Sequence, residues 1–476
     1  MPHRTRRRTL TALAALLLAA SLTPAARAAE AVRVEGTLPS GAAYVIDMPD
    51  SWNGTVLLYS HGYTAAGLPN PARDAPDDAT KSLLMKQGYA LTGSSYATNG
   101  WAVTDAVPDQ LATLDAFTGR FGAARRTLAW GTSYGGLVTT AIAERHPGRI
   151  SGSLSMCGLV QGGVATWNSM LDTAFALRTL LGGTGSGIRL TGLRDTADAA
   201  AQAAAMTELV ERAQTTAAGR ARIALAAALY DVPGWNDDAV PRPAPADWDA
   251  RQAGQYRAVV GLIGLPAFVW RQEAELRAGG NMSWNTGVDY PAMLRKSPNS
   301  KEVSELYRTA GRSLRTDLGD LGRAPRVVAD RKAVDWMDRT SVFTGRLRRP
   351  QLDIHTTGDP LIPVQAESAH RRAVTAAGSA ALLRQGYVDN AGHCTFSPGE
   401  QVAALHTLED RIASGHWRGA DPASLNARAR AADPASAARY TPYEPGPYPR
   451  PYDLAHPRDR QRSPGDAGRR TSAGWP

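Results

Sequence analysis

Cysteine is almost absent: the chain of 476 residues holds two, Cys157 and Cys394. That leaves room for one internal disulfide, which an exported chain would form. Beyond the amino terminus no stretch approaches the length of about eighteen consecutive apolar residues that a membrane-spanning helix needs. No stable membrane insertion is therefore expected. There is no P-loop, no dinucleotide fingerprint and no histidine cluster at metal spacing, so neither a cofactor nor a metal is expected. No basic stripe interleaved with aromatics occurs, which argues against nucleic acid as a partner. Internal repeats are also lacking.

What is present at the amino terminus reads as an export signal. Arg4, Arg6, Arg7 and Arg8 form a positive head, and residues 9–22 are apolar but too short for a permanent span. Ala26-Arg27-Ala28 then offers the small-x-small pattern of signal cleavage, so the mature protein is expected to begin after Ala28 and to be secreted. The arginine cluster also fits a twin-arginine signal, and a membrane anchor is the rival reading of the same run. The formal net charge of +9 falls to +4 once the five arginines of this segment leave. Apolar residues at 43% and charged residues at 20% are ordinary for a globular chain with a sizeable core.

The remaining pattern alternates strand and helix. Two short alternating segments, 31–34 and 42–48, precede Thr55-Val56-Leu57-Leu58-Tyr59-Ser60, a continuous apolar run of the kind buried on both faces of a sheet. Helices are expected over 78–87, 108–121 and 137–145, and strands over 89–94, 127–130 and 150–156. This order predicts a mostly parallel sheet with helices on both faces. The alternation stops near 160, gives way to an alanine-rich helical stretch, and resumes with strands at 351–355 and 381–388. The expected organisation is a signal (1–28), a sheet domain in two parts (29–159 and 349–439), a helical cap between them (160–348) and a Pro-rich tail (440–476). The tail should be disordered from about Arg458, with Tyr443, Tyr448 and Tyr452 pinning its first part to the body.

Four segments carry candidate chemistry. Gly131-Thr132-Ser133-Tyr134-Gly135-Gly136 stands between a strand and a helix, where a sharp turn lifts a serine hydroxyl clear of the sheet and needs small residues two positions to either side. Ser133 is the candidate nucleophile. His61-Gly62-Tyr63 follows an earlier strand, and the amides of Tyr63 and Tyr134 are candidates for an oxyanion hole. Asp359, in Thr357-Gly358-Asp359-Pro360, is the candidate acid, with Asp353 and Asp389 as rivals. His393, on the Gly-containing loop Asn390-Ala391-Gly392-His393-Cys394, is the candidate base. His355 falls in a strand, and His370 and His406 fall in helices.

At these segments the sequence resembles the α/β-hydrolase superfamily. The likeness covers about 30–160 and 349–417, and the elbow around Ser133 is similar to those of secreted serine peptidases and esterases. The resemblance implies an α/β-hydrolase fold with a large helical cap inserted before the acid-bearing strand. It also implies a Ser133–His393–Asp359 triad in the chain order that this fold uses. His393-Cys394 is similar to the tannase and feruloyl esterase family, in which a cysteine just before the serine bonds one just after the histidine. Here Cys394 matches and position 132 is Thr. Cys157, at the end of the next strand, is expected to take over the bonding role if that strand lies beside the one bearing Ser133.

Three functional readings follow. The first is a secreted carboxylic ester hydrolase. The second is a serine aminopeptidase on the same scaffold, with Glu273 and Glu275 holding a peptide amino terminus, although exposed helix-face charge is the plainer reading of that pair. The third is a binding protein that kept the fold, which would be expected to lack a triad member. The partner is accordingly a small ester or a short peptide, and the sequence does not specify the oligomeric state. The six cap tryptophans (167, 235, 248, 270, 284 and 336) are expected mainly to pack cap helices, with an acyl or aromatic pocket as the alternative.

Overall fold

The computed structural model describes residues 31–452, so the expected signal and the expected disordered end lie outside the described residues. Nine strands form one sheet: β1 (Val32–Thr37), β2 (Ala43–Met48), β3 (Thr55–Ser60), β4 (Ala90–Ser94), β5 (Arg126–Thr132), β6 (Gly152–Met156), β7 (Gln351–Gly358), β8 (Leu383–Ala391) and β9 (Tyr440–Thr441). Their order across the sheet is β1-β2-β4-β3-β5-β6-β7-β8-β9. The six strands from β4 across to β8 pair in parallel, and the two outer pairs at one end and β8–β9 at the other are antiparallel.

Period-two alternation explains why the inner strands read as continuous apolar runs. In β3, Val56 and Leu58 enter one core while Leu57 and Tyr59 enter the other. In β5, Ala129 faces the first core, and Leu128 and Trp130 face the second. Each face is covered by helices, so every residue of β3 is buried.

Helices α1 (Asp78–Lys86), α2 (Val103–Phe121) and α3 (Tyr134–Arg145) make the crossovers of the first half. The chain leaves β3 toward β4 on one side and later enters β5 on the other, which places a topological switch between β3 and β5. In open α/β sheets the crevice outside the strand ends at such a point is where ligands bind. Two boundaries differ from expectation. Helix α2 begins at Val103, five residues before Pro108, because burial of Val103, Ala106 and Val107 outweighs the loss of one hydrogen bond at the proline. Helix α3 begins at Tyr134, directly after the serine.

Between β6 and β7 the described elements are helical. The first, α4 (Gly163–Leu177), is buried along its whole length, its polar residues Thr166, Asn168, Ser169, Asp172 and Thr173 included. Its one acid, Asp172, is fully buried. Arg450 reaches it from the carboxyl-terminal segment at 2.6 Å and also donates to the Trp284 carbonyl at 3.1 Å. Tyr448 is buried, Tyr452 packs edge-on against Trp284 and Tyr443 packs against Tyr387. The three tyrosines thus pin the segment as expected. The start of that segment was expected to be a polyproline-like tail, yet Tyr440–Thr441 is a ninth strand. The amide and carbonyl of Tyr440 are clamped by the Asn426 side chain at 2.8 Å each, and its ring is buried.

Because Asp172 has no access to water, removing its cation leaves an uncompensated charge. Arg450→Ala is expected to lower the unfolding free energy by about 3 kcal/mol, measured by denaturant unfolding. Arg450→Ala with Asp172→Asn should recover part of that loss.

Candidate active site

Ser133 sits between β5 and α3 with φ 56° and ψ −122°, a backbone conformation that turns the chain sharply. The turn is possible because the residues two positions to either side, Gly131 and Gly135, are glycine. A Cβ on Gly135 would overlap the carbonyl oxygen of Ser60 at the end of β3, and one on Gly131 would lie 2.5 Å from the carbonyl oxygen of Gly135. The amide of Ser133 donates to the Met156 carbonyl at 2.9 Å, which ties the turn to the end of β6. Thr132, the residue before the serine, shares a hydrogen bond of 2.7 Å with the Tyr59 hydroxyl.

The loop after β3 lies alongside. His61 is buried with its ring stacked on Tyr96 at 4.0 Å, and its nitrogens face the carbonyls of Gly62 (2.7 Å) and Ser95 (3.2 Å). Burial lowers the His61 imidazole to about 4, so it is neutral and structural. Gly62 packs close to Ser133, its missing Cβ 3.7 Å from that of the serine. The amides of Tyr63 and Tyr134 donate to no acceptor among the described residues, so both remain available for a ligand oxygen.

Asp359 follows β7 and is fully buried. Its Oδ1 accepts the amides of Leu361 and Ile362 at 2.9 Å each, an Asx-type turn that aims Oδ2 outward. Oδ2 lies 2.7 Å from Nδ1 of His393. The His393 loop after β8 is shaped by Gly392, whose φ of 94° suits glycine, whose amide donates to the Gly358 carbonyl at 3.0 Å and whose carbonyl accepts from Thr356 at 2.8 Å. On the other side of the ring, Nε2 lies 2.7 Å from Oγ of Ser133. An ionised carboxylate only accepts, so Nδ1 carries the proton and Nε2 presents its lone pair to the serine hydroxyl.

A serine on a sharp turn after β5, an aspartate after β7 and a histidine after β8 thus meet at the carboxyl edge of a parallel sheet. This is the α/β-hydrolase fold. A family model described as a tannase-like family of unknown function matches residues 37–259, a little under half of the chain. A curated protein from Xanthobacter agilis, an o-phthalyl amidase, is 29% identical over 428 residues, which cover 85% of this chain and 92% of that one. Among solved structures, feruloyl esterase B from Aspergillus oryzae is similar at 11% identity and a TM-score of 0.39, with 82% of each chain covered. The acylaminoacyl peptidase of Pyrococcus horikoshii is similar at 10% identity and a TM-score of 0.37 over 81% of this chain, which spans only 42% of the peptidase.

The two cysteines are bonded. Cys157 follows β6, β6 pairs beside β5, and the Cα atoms of Cys157 and Cys394 are 5.4 Å apart, within disulfide reach. The bridge anchors the residue next to His393 to the strand next to Ser133. Ser133, Cys157, Cys394 and the His61-stacked Tyr96 are four of the five non-glycine residues with positive φ among the described residues. Backbone strain of this kind concentrates where surrounding structure over-determines a site.

A narrow cavity of about 30 Å³ opens at Ser133. Its walls are Tyr63, Trp101 and Tyr134 from the sheet half, Trp167, Met170 and Trp270 from the helical insertion, and Leu361 and Ile362 from the acid loop. The rings interlock, Tyr63 with Trp270 at 4.5 Å and Trp101 with Trp167 at 5.2 Å. Two of the six insertion tryptophans therefore face this cavity, and the other four pack elsewhere. Trp101 was not singled out in the sequence, since no motif surrounds it.

Other sequence candidates resolve differently. Glu273 and Glu275 are not exposed helix-face charge. Glu273 accepts the Trp101 amide at 2.8 Å and pairs with Arg277, while buried Glu275 accepts the Gly192 amide at 2.8 Å and lies 3.8 Å from Arg271. Glu273 fastens the insertion to the sheet half, Glu275 ties segments within the insertion together, and neither lines the cavity at Ser133. Asp353 is buried against His370 at 2.7 Å, and Asp389 pairs with Arg242, so neither rival acid meets His393.

Burial alone would raise the Asp359 carboxyl, but the charge of His393 and hydrogen bonds from His355 and His393 hold it at about 2. Its stabilising contribution, about 2 kcal/mol, is present above the unfolded value near 4 and is lost as pH falls toward 2. Unfolding free energies measured from pH 5 to pH 2 should therefore fall less steeply in Asp359→Asn than in the parent.

Proposed function

We propose that the chain is a serine hydrolase that cleaves carboxylic esters of aromatic acids through an acyl-enzyme. The observation that carries this reading is the unbroken line Asp359–His393–Ser133, with both links at 2.7 Å, at the mouth of an aromatic cavity. In the first step the Ser133 hydroxyl gives its proton to Nε2 of His393, and Oγ attacks the carbonyl carbon. The amides of Tyr63 and Tyr134 receive the oxyanion, at about 3 kcal/mol for each donor. His393 then returns the proton to the leaving oxygen, and water repeats the sequence to free the acid. Planar rings offset or edge-on to Trp167, Trp270 and Tyr63 gain contact that a short aliphatic acyl group lacks.

Amide cleavage is the second reading. It is favoured by the relative from Xanthobacter agilis, which is named for an amidase reaction on o-phthalyl substrates. The same residues serve it, with His393 protonating a leaving nitrogen. The aminopeptidase reading loses its support, because the two acids it invoked are occupied in holding Trp101 and Gly192.

We further propose export, with cleavage near Ala28. The disulfide beside His393 supports it, since such bonds persist in oxidising compartments. Mass analysis of the protein recovered from culture medium should give a chain beginning at about residue 29.

Ser133→Ala should reduce turnover of p-nitrophenyl benzoate by at least a factor of about 10⁴, and full activity in that variant would overturn the triad. Trp270→Ala should lower kcat/KM for the benzoate about tenfold while changing that for p-nitrophenyl acetate far less. Parallel assay of a benzoyl anilide separates ester from amide preference.

A further inference from the structure

We propose that His355 is a positioning residue for this site: a buried imidazolium, held by Glu367 behind Asp359, that sets how tightly Asp359 holds the proton of His393. The inference rests on the triad reading above.

His355 lies in β7, four residues before Asp359, with its side chain wholly buried. Nε2 is 2.9 Å from the Ile362 carbonyl and 3.5 Å from Oδ2 of Asp359, the oxygen that also receives His393. A carbonyl can only accept, so Nε2 carries a proton, and that N–H leans between the carbonyl and the carboxylate. Nδ1 is 2.9 Å from Oε1 of Glu367, in helix Ala366–Ala376. The other Glu367 oxygen accepts from the Gln385 side chain at 2.7 Å. Both ring nitrogens thus face acceptors, as those of His61 do, but where His61 meets only uncharged carbonyls, His355 has carboxylates at 2.9 Å and 3.5 Å, and it is their charge that favours the cation. Burial works against that cation, but hydrogen bonds to Asp359 and Glu367 outweigh it and raise His355 to about 10.

The groups around the pair are of mixed sign. On β7, Asp353 faces Glu367 and holds Nδ1 of His370 at 2.7 Å. On β8, Tyr387 donates to Gln385 at 3.2 Å. From the insertion, the Tyr230 hydroxyl donates to the Leu361 carbonyl at 2.7 Å. On its far side Asp359 meets His393. Asp359 therefore stands between two imidazoles that compete for one oxygen. With the inner one charged, part of the carboxylate's field is spent on it, and His393 releases its proton at lower pH. Without that charge, the whole field acts on His393.

The test is the pH dependence of kcat/KM for p-nitrophenyl benzoate. His355→Gln removes the cation, and Glu367→Gln removes the anion that holds it. Both should move the acid limb to higher pH by about one unit, the scale of a nearby charge. A residue that merely filled space would lower the rate without moving the limb, so an unmoved limb in both variants would overturn the proposal. A readout free of those substitutions is the nitrogen-15 histidine spectrum of Ser133→Ala protein at pH 7. There His355 should show both ring nitrogens protonated, and a neutral tautomer would overturn the proposal even if neither variant folds. Turnover persisting in Ser133→Ala would count against the triad instead, leaving the charge of His355 to be judged by the spectrum.

Discussion

The structure of the site depends on one buried carboxylate. Asp359 has no exposure to water, so its charge must be met inside the protein. Two main-chain amides, His393 and His355 do so. Each partner comes from a different place: the acid's own loop, the loop after β8, and the body of β7. Satisfying one charge therefore fixes the loop that presents His393, and through His393 it fixes the line to Ser133 at the end of β5. The same bonds that stabilise the carboxylate choose the tautomer of His393.

A second constraint is steric. Gly135 can sit against the end of β3 only because it lacks a side chain, and this approach brings the start of α3 and the loop after β3 to the same point. The amides of Tyr134 and Tyr63 come from those two elements. The disulfide adds a third tie, from the residue after His393 to the end of β6. Strand ends, which are otherwise free to splay, are thus cross-linked around the Ser133 hydroxyl by packing, hydrogen bonds and a covalent bond. The helical insertion completes the enclosure. Buried Arg271 donates to the Trp167 carbonyl at 2.7 Å and to Ser283 at 2.9 Å, which fixes one wall of the cavity. Glu273 fixes another by receiving the Trp101 amide.

Much of this was legible in the chain. The apolar runs of β3 and β5 announced strands covered on both faces, because burial removes the polar alternation of an exposed sheet. The glycines around Ser133 and the small loop at His393 marked turns that a side chain would obstruct. The pairing of Cys157 with Cys394 was implied by the resemblance to the tannase and feruloyl esterase family, taken together with the expected adjacency of β6 and β5. Other features were hidden. Glu273 and Glu275 looked like surface charge, since helical spacing does not tell which face meets another element. His355 looked like an ordinary strand residue, since nothing in the chain indicates that Glu367 returns to face it. Tyr440–Thr441 looked like tail, since two residues become a strand only when an edge is offered to them.

By itself the sequence determined the local events: where the backbone must turn, which strands are buried, and which serine, acid and histidine stand at strand ends. These depend on sterics and hydrophobic pattern over a few residues, and no distant partner is needed to decide them. Only the tertiary structure decided which charges are compensated by which, and which rings form the cavity wall. Those outcomes depend on distances between segments that the chain separates by 12 residues, as for His355 and Glu367, up to 278, as for Asp172 and Arg450, and a side chain's energy in a low-dielectric interior is set by whatever the fold brings against it.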